Sequence, residues 1–315
     1  MHSGGTKFFE INREKANFDA IYHHPDPREY FRVLYGLDYV IPELAKTPFR
    51  GILRALRARK KRRLKVADLG CSYGINAALL RYPLDIRRLA TRYAGHEMQS
   101  VTPRDLADMD RNYFRSWPPQ NDDMFIGIDT AKPAIEYAVH SGLLDGAVTS
   151  NLEERDPAPE EMPLLRGLNL VISTGCVGYT TEKSFRRILS AQREDAPCPW
   201  VASLVLRMFP YGAITEELSR FGLVTEKLEG VTFVQRRFHS EQEYSATIHS
   251  LEKLGVDPTG KETDGLFHAE LYVSRPRADV ESCPLGKLVS VTSGAARRYG
   301  RRYTRAGQGP VKLMH

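Results

Sequence analysis

The sequence predicts an α/β protein with a doubly wound, mostly parallel sheet, and three observations support this prediction. Short apolar runs alternate with helix-compatible segments of about ten residues from residue 66 onward. The first apolar run leads directly into a turn bounded by glycines at positions 70 and 74. Polar residues follow several other runs, at the strand ends where sheets of this type bind their ligands.

The apolar runs and the periodic segments define the predicted elements of the core. The predicted strands are 66–69, 124–128, 146–149, 168–173, 201–208, 230–234 and 267–273. The predicted helices between them are 75–81, 132–141, 182–191, 214–221 and 241–254. Because a helix separates most successive strands, we expect parallel strands covered by helices on both faces.

The chain divides into three predicted segments. Residues 1–64 form a helical cap that is dense in Tyr and Phe and is a candidate lid over a ligand. Residues 65–275 form the core, with an inserted helical section at about 84–121, after the first strand and helix. Residues 276–315 form a basic, loosely structured tail, because this stretch shows little periodicity.

The chain is basic, with a net charge of +6 over 315 residues and a pI of about 9.1. Much of the positive charge falls in two runs, at 57–65 and 297–305. Such runs can bind a nucleic-acid backbone, but more often they are solvated helix faces and tails. We favour the second interpretation, because the runs are short and no recognisable RNA-binding module accompanies them.

Composition and patterning exclude several classes of protein. The 42% of hydrophobic and 27% of charged residues are typical of a globular chain. No apolar run approaches the roughly 18 residues of a membrane span, and residues 1–10 lack an apolar signal core. The four cysteines form no CxxC pair, which argues against a disulfide framework and against a metal site. A cytoplasmic location fits these features best.

Candidate ligand-binding residues stand where the predicted strands end. Asp68 closes the first strand and can bind an ammonium group, while the glycines of the turn 70–74 let a ligand approach the backbone. Asp129 closes the second strand, where a carboxylate can bind both hydroxyls of a ribose. Asn151 and Leu152 follow the third strand, and an amide beside an apolar side chain suits an adenine ring.

The sequence Val-Ala-Asp-Leu-Gly-Cys-Ser-Tyr-Gly at 66–74 resembles the first motif of class I S-adenosylmethionine-dependent methyltransferases. That motif is an acidic residue followed by spaced glycines, and its middle glycine is often a small residue, here Ser72. The resemblance covers about two thirds of the chain. It implies a seven-stranded sheet with an antiparallel last strand, S-adenosylmethionine as the cofactor, and methyl transfer as the activity.

The resemblance also implies roles for individual residues. The turn 70–74 would cradle the methionine part of the cofactor, Asp129 would bind the ribose hydroxyls, and residues 173–175 would lie near the methyl group. The implied cofactor-binding residues are Asp68, Gly70, Cys71, Ser72, Gly74, Asp129, Thr130, Asn151, Leu152, Ser173, Thr174 and Gly175.

The sequence departs from the family pattern in two respects. A ribose carboxylate usually follows the glycine turn by roughly 20 residues, whereas Asp129 lies much further on, so Glu97 is the alternative ribose ligand. The segment 173–179 also lacks Asn/Asp-Pro-Pro-Tyr and the carboxylate expected of magnesium-dependent catechol-type enzymes. Both of those subclasses are therefore disfavoured.

Two other functions fit parts of the same sequence. Gly-Cys-Ser-Tyr-Gly matches the G-x-S-x-G elbow of α/β-hydrolases, with Ser72 as nucleophile and Asp257 and His268 as acid and base. An elbow normally follows several strands of the sheet, whereas only helical sequence precedes this turn. A nicotinamide-binding Rossmann protein is a further alternative, although the glycine spacing departs from G-x-G-x-x-G.

We therefore expect methyl transfer to an O or N atom of a small, partly apolar acceptor, in secondary metabolism. The alternatives are an RNA methyltransferase that uses the basic runs and a binding protein that never turns its cofactor over. His24, beside His23 in the cap, and Tyr179 are the candidate catalytic residues. Tyr22, Tyr35 and Tyr179 are the candidate substrate-binding residues.

Overall fold

A computed structural model describes residues 8, 11–12, 15–192 and 197–289, together with the backbone of two paired strands at 302–305 and 311–314. The helices are α1 Asp19–Tyr22, α2 Arg28–Gly36, α3 Ile41–Lys60, α4 Ile75–Arg81, α5 Ile86–Ala94, α6 His96–Gln99, α7 Pro103–Arg115, α8 Lys132–His140, α9 Met162–Leu165, α10 Glu182–Ser190, α11 Gly212–Arg220, α12 Glu241–Lys253, α13 Arg277–Ser282 and α14 Leu285–Leu288. The strands of the main sheet are β1 Lys65–Leu69, β2 Met124–Ile128, β3 Gly146–Val148, β4 Leu170–Thr174, β5 Trp200–Leu206, β6 Leu223–Lys227, β7 Phe233–Arg237 and β8 Leu266–Pro276.

The main sheet has the order β3-β2-β1-β4-β5-β8-β6, and β7 pairs with the first half of β8. The first five strands are mutually parallel, and β8 lies antiparallel between β5 and β6. The chain order reverses where β1 pairs with β4, so the carboxyl ends of these two strands border the topological switch point. This arrangement, with an antiparallel strand late in the chain, confirms the predicted class I methyltransferase-like fold.

The central strands are buried on both sides, as the predicted helical layers require. Every residue of β4 and β5 is buried, and their sequences are nearly continuous apolar runs. Such runs are typical of parallel strands covered on both faces.

The sheet differs from the predicted one after β5. The sequence does not predict β6, because Leu-Val-Thr-Glu-Lys is short, partly charged and mostly half-buried at a sheet edge. The strand predicted at 230–234 is instead β7, Phe233–Arg237. In the part of the chain that the structure describes, this sheet therefore has eight strands rather than seven.

Several hydrogen bonds join the cap, α1 to α3 with the segment before them, to the core, and those beside the glycine turn and β7 position it over the sheet edge. Tyr73 is fully buried in the glycine turn, and its hydroxyl donates to Ile21 O at 2.7 Å and lies 2.8 Å from His24 O. The backbone N–H of Val40 donates to Gln235 O of β7 at 2.9 Å. These contacts hold the cap over the carboxyl edge of β1.

The predicted helical insertion is present as α5, α6 and α7, and a buried carboxylate anchors it. Asp110 of α7 accepts hydrogen bonds from Arg92 Nε at 2.7 Å and from the hydroxyl of Tyr93 at 3.1 Å. The hydroxyl of Tyr137 on α8 donates to the same carboxylate at 2.5 Å. The insertion is therefore attached to the core helix that follows β2.

The first basic run ends α3 and leads into β1 at the amino edge of the sheet. Arg57 forms a salt bridge with the buried Asp123, which also accepts a hydrogen bond from Leu64 N at 3.1 Å. Arg63 lies 3.6 Å from Asp145. Part of this run thus stabilises the junction between cap and sheet, at the edge opposite the switch point.

The start of the predicted tail is helical. Leu285 of α14 is buried, and its N–H donates to Glu226 of β6 at 2.9 Å. Trp200 donates to Asp279 of α13 at 2.8 Å. The expectation of loose structure therefore does not hold for 277–288. The side chains of the second basic run, 297–305, lie outside the described residues. None of the described helices has the length and apolar character that a bilayer span requires.

We expect Asp123→Ala to lower the free energy of unfolding by about 2–4 kcal/mol, because Arg57 and the amide of Leu64 lose their buried acceptor. Asp122→Ala removes the neighbouring exposed carboxylate and is the control, with an expected change below about 0.5 kcal/mol. Urea unfolding measures both variants. Equal stability of the two would contradict a structural role for the first basic run.

Candidate functional site

A cavity opens at the carboxyl edge of the sheet, between the loops that follow β1, β2, β3 and β4 and the overlying cap. Most of the predicted cofactor-binding residues line it: Gly70, Cys71, Ser72, Asp129, Thr130, Asn151, Leu152, Thr174 and Gly175. The switch point thus brings together residues from four separate loops, as the strand-end pattern predicts.

The glycine turn has a backbone conformation that ordinary residues rarely adopt. Gly70, Ser72 and Gly74 have φ angles of 78°, 49° and 76°. A Cβ added at Gly70 would lie 2.6 Å from the Cβ of Cys176 in the loop after β4. Position 70 therefore requires glycine both for its positive φ and for the close approach of the two loops.

Asp129 stabilises the turn from the neighbouring strand. Its two carboxylate oxygens accept hydrogen bonds from Ser72 N at 2.9 Å and from Ala131 N at 3.0 Å. Each oxygen has capacity for a further hydrogen bond, and Asp129 borders the cavity. Glu97, the alternative ribose ligand, is exposed on α6, so the geometry favours Asp129.

Asp68 is fully buried behind two side chains that line the cavity. Asn76 donates to Asp68 Oδ1 and to Thr174 Oγ1, both at 3.1 Å. Asp68 Oδ2 has no hydrogen-bond partner among the described residues. Burial raises the pKa of Asp68 to about 7. The hydrogen bond from Asn76 acts in the opposite direction and lowers this pKa, whereas the nearby Asp129 raises it further. A positive charge in the cavity would favour the ionised form.

The carboxylate of Glu161 holds the start of the loop after β3. Glu161 accepts hydrogen bonds from Thr149 N at 2.6 Å and from Ser150 N at 3.1 Å. Asn151 accepts from the N–H of Glu153 at 3.1 Å, and the buried Leu152 also borders the cavity. The amide and the apolar side chain predicted for an adenine ring thus share one wall.

The cap supplies an aromatic wall on the other side of the cavity. The ring of Tyr30 lies 6.2 Å from that of Tyr22 and 6.1 Å from that of Tyr39, measured between centroids. Burial raises the pKa of all three hydroxyls, so these side chains remain neutral at physiological pH. Leu34 and Pro42 border the same region.

Sequence reasoning missed two cavity residues on β7, Gln235 and Arg236. Gln235 lies so close to the loop after β4 that a Cβ at Gly175 would be 2.4 Å from its Nε2. Arg236 forms two hydrogen bonds with Glu243, at 2.6 and 2.8 Å. The only sequence signal for them was the predicted strand 230–234, which ends before both residues.

Three predicted residues lie beneath the cavity rather than on its wall. Asp68 and Ser173 are fully buried in the first and fourth strands. Gly74 precedes the first residue of α4 and packs against Ala138 and Leu143. These positions support the turn and the sheet edge.

Two residues predicted for catalysis or substrate binding, His24 and Tyr35, lie away from the cavity wall. His24 is exposed and does not line the cavity, whereas its neighbour His23 does. Tyr35 lies on α2 away from the cavity wall, while Tyr22 and Tyr179 border it. The packing of α2 and of the turn after α1 on the core decides which side chains face inward.

The hydrolase alternative is not supported by the geometry. Ser72 has the positive φ of a nucleophile elbow, but within the described residues its Oγ has no hydrogen-bond partner. The ring of His268 lies 2.9 Å from Thr232 Oγ1, and burial lowers its pKa to about 4. Asp257 instead accepts from Thr259 N at 2.9 Å. The three residues therefore do not form a catalytic triad.

The nicotinamide alternative is disfavoured by the sheet. A dinucleotide-binding sheet continues in parallel beyond its fifth strand, whereas here the antiparallel β8 occupies that place. Among the described residues, no group of three or more His, Cys, Asp or Glu side chains could hold a metal ion.

No protein-family model and no curated protein matches this sequence. The chain is similar to a solved plantazolicin methyltransferase, BpumL, in complex with a pentazolic desmethylPZN analog and SAH, with 10% identity and a TM-score of 0.39 over 86% of this chain and 99% of that one. It is also similar to magnesium protoporphyrin IX methyltransferase (ChlM) from Synechocystis PCC 6803 with bound SAM, with 12% identity and a TM-score of 0.34 over 86% and 92% of the two chains. A third similar structure is precorrin-6y C5,15-methyltransferase from Geobacter metallireducens GS-15, with 9% identity and a TM-score of 0.34 over 70% and 87%. Because these scores are low, the fold assignment rests on the strand order.

We expect Gly70→Ala to lower the free energy of unfolding more than Gly142→Ala does. Gly142 has a φ of 77°, and an added Cβ there meets no atom within 4 Å. The Gly142→Ala substitution should therefore cost only the backbone strain, about 1 kcal/mol. At Gly70 the collision with Cys176 should add about 2 kcal/mol. Urea unfolding measures the difference, and equal costs would show that the two loops are not in close contact.

We expect Asp68→Asn to stabilise the protein at pH 8 and to have little effect at pH 4. Because the pKa of Asp68 is raised to about 7 from 3.8, the folded chain keeps a proton that the unfolded chain releases, so wild-type stability falls as pH rises through this window. The amide mimics the neutral carboxyl and removes this loss. Urea unfolding across pH 4–8 tests the prediction, and a constant difference between the proteins would refute it.

Proposed function

We propose that this chain is an S-adenosylmethionine-dependent methyltransferase that acts on an O or N atom of a small, partly apolar acceptor. One observation carries the proposal: a glycine turn at the switch point is held by Asp129 and backed by the unpartnered carboxylate oxygen of Asp68. This arrangement leaves bare backbone, two acceptor oxygens and a buried acid at one edge of the sheet.

The residues present fit an adenosyl sulfonium with an amino-acid tail. Asp129 would accept hydrogen bonds from the two ribose hydroxyls with the lone pairs that its backbone donors leave. The amide of Asn151 and the side chain of Leu152 would contact the adenine. Asp68 would stabilise the α-ammonium group through Asn76, the side chain between the acid and the cavity.

S-adenosylmethionine, when bound, would supply a methyl group on a positively charged sulfur that departs as a neutral thioether. The protein's contribution is then to hold the acceptor in line and to exclude water. The aromatic wall of the cap serves both purposes, because its tyrosine rings present apolar surface, Tyr30 is buried and Tyr22 and Tyr39 are partly buried. An acceptor hydroxyl must also lose its proton. We assign the role of the general base that takes it to His23, the cap histidine that borders the cavity.

A small acceptor has more support than RNA. The first basic run lies at the amino edge of the sheet, where Arg57 pairs with Asp123, whereas the cavity lies at the carboxyl edge. A nucleic acid held by this run would not be positioned over the cavity. The wall formed by Tyr22, Tyr30 and Tyr39 instead suits an apolar molecule.

Isothermal titration calorimetry at pH 8 with two related ligands tests the proposal. S-adenosylhomocysteine carries the α-ammonium group, and 5′-methylthioadenosine lacks the amino-acid tail. We expect wild type to bind both, Asp129→Ala to weaken both by at least about tenfold, and Asp68→Asn to weaken only the first, by about tenfold. Glu136→Ala, an exposed change on α8, is the matched control.

Three outcomes would contradict the proposal or change it. Failure of wild type to bind S-adenosylhomocysteine would overturn the whole assignment. Equal losses of both ligands in Asp68→Asn would remove Asp68 from recognition of the ammonium group. Tight binding without methyl transfer to any small hydroxyl or amine acceptor would favour the non-catalytic binding protein.

A further inference from the structure

Gln235 of β7 is a buried polar side chain in the cavity that the bound donor would not need. It is 5% exposed, and its Oε1 has no hydrogen-bond partner in the described part of the chain. Its amide lies against Gly175, which has a φ of 71° and no side chain to separate them. The amide therefore borders the cavity next to the loop after β4.

An unpartnered buried acceptor is costly, because folding strips its water without replacing the hydrogen bond. A ligand with an O–H or N–H group would supply the missing donor. The amide oxygen thus indicates a ligand that carries such a group.

The surroundings of Gln235 indicate what kind of molecule carries that donor. The aromatic wall formed by Tyr22, Tyr30 and Tyr39 borders the same cavity. The N–H of Val40 donates a hydrogen bond to the backbone carbonyl of Gln235, which places this part of the cap beside β7. These rings offer flat apolar surface to a flat apolar ligand.

The neighbouring cation is not available for recognition. Arg236 is bound by both oxygens of Glu243, and both side chains are almost completely buried. Its guanidinium also lies 5.0 Å from the ring centroid of Phe18 and 4.8 Å from that of Phe267. The charge of Arg236 is therefore compensated, and Gln235 beside it offers the ligand a neutral hydrogen bond.

We propose that Gln235 recognises the methyl acceptor, and that the acceptor is a small aromatic molecule with a hydroxyl or N–H group that donates to Gln235 Oε1. This inference rests on the proposed function, because it assumes that the donor fills the part of the cavity between the glycine turn and Asp129. The acceptor then occupies the space between Gln235 and the aromatic wall.

Two probes that differ in one hydrogen-bond donor test the inference. 2-Naphthol and 2-methoxynaphthalene are titrated into protein saturated with S-adenosylhomocysteine, which keeps both probes out of the donor region. We expect wild type to bind 2-naphthol about tenfold more tightly than the methyl ether. We expect Gln235→Leu to reduce this preference to less than about threefold and Gln235→Glu, which keeps an acceptor oxygen, to retain it. Gln242→Leu, an exposed change on α12, is the control.

Each other outcome rejects a different statement. Equal affinities for the two probes in wild type, or an unchanged preference in Gln235→Leu, would overturn the role of Gln235. If wild type does not bind S-adenosylhomocysteine, the proposed function fails, and the same titrations without it still test Gln235. If Gln235→Leu does not fold, the role of Gln235 is judged from the preference for 2-naphthol over 2-methoxynaphthalene in wild type and in Gln235→Glu.

Discussion

The site depends on the close contact between the loops that follow β1 and β4. These strands are adjacent in the sheet, and no side chain at Gly70 separates the turn from Cys176. The contact places bare backbone of the turn beside Gly175 and opposite the end of β2. Because a Cβ at position 70 would collide, the site geometry is determined by a missing side chain.

Several polar groups in or beneath the cavity are not satisfied by folding alone. Asp68 Oδ2, Ser72 Oγ and Gln235 Oε1 each lack a hydrogen-bond partner among the residues that the structure describes. Each such group costs of order 1–3 kcal/mol, which a chain under selection for stability alone would not keep. A ligand that hydrogen-bonds to the groups bordering the cavity would recover part of this stability.

The turn also connects the cavity to its roof. Tyr73 lies between the glycines, and its hydroxyl is bonded to the backbone of the cap, while its ring packs on Tyr30 with a centroid distance of 5.8 Å. The segment that would contact a ligand is therefore the segment that holds the cap. A cap positioned in this way covers the cavity from the side of the turn.

The sequence by itself determined the alternation of strands and helices as far as β5, the glycine turn and the place of Asp129, because these follow from local periodicity and from the residues at strand ends. Only the tertiary structure decided that His23 rather than His24 faces the cavity, since both lie in the turn after α1 and contacts with the core set the direction of that turn. It also decided the role of Gln235, because pairing with β8 and contact with the cap set the register of β7. Such pairing joins residues that are distant in sequence, and no local pattern encodes it.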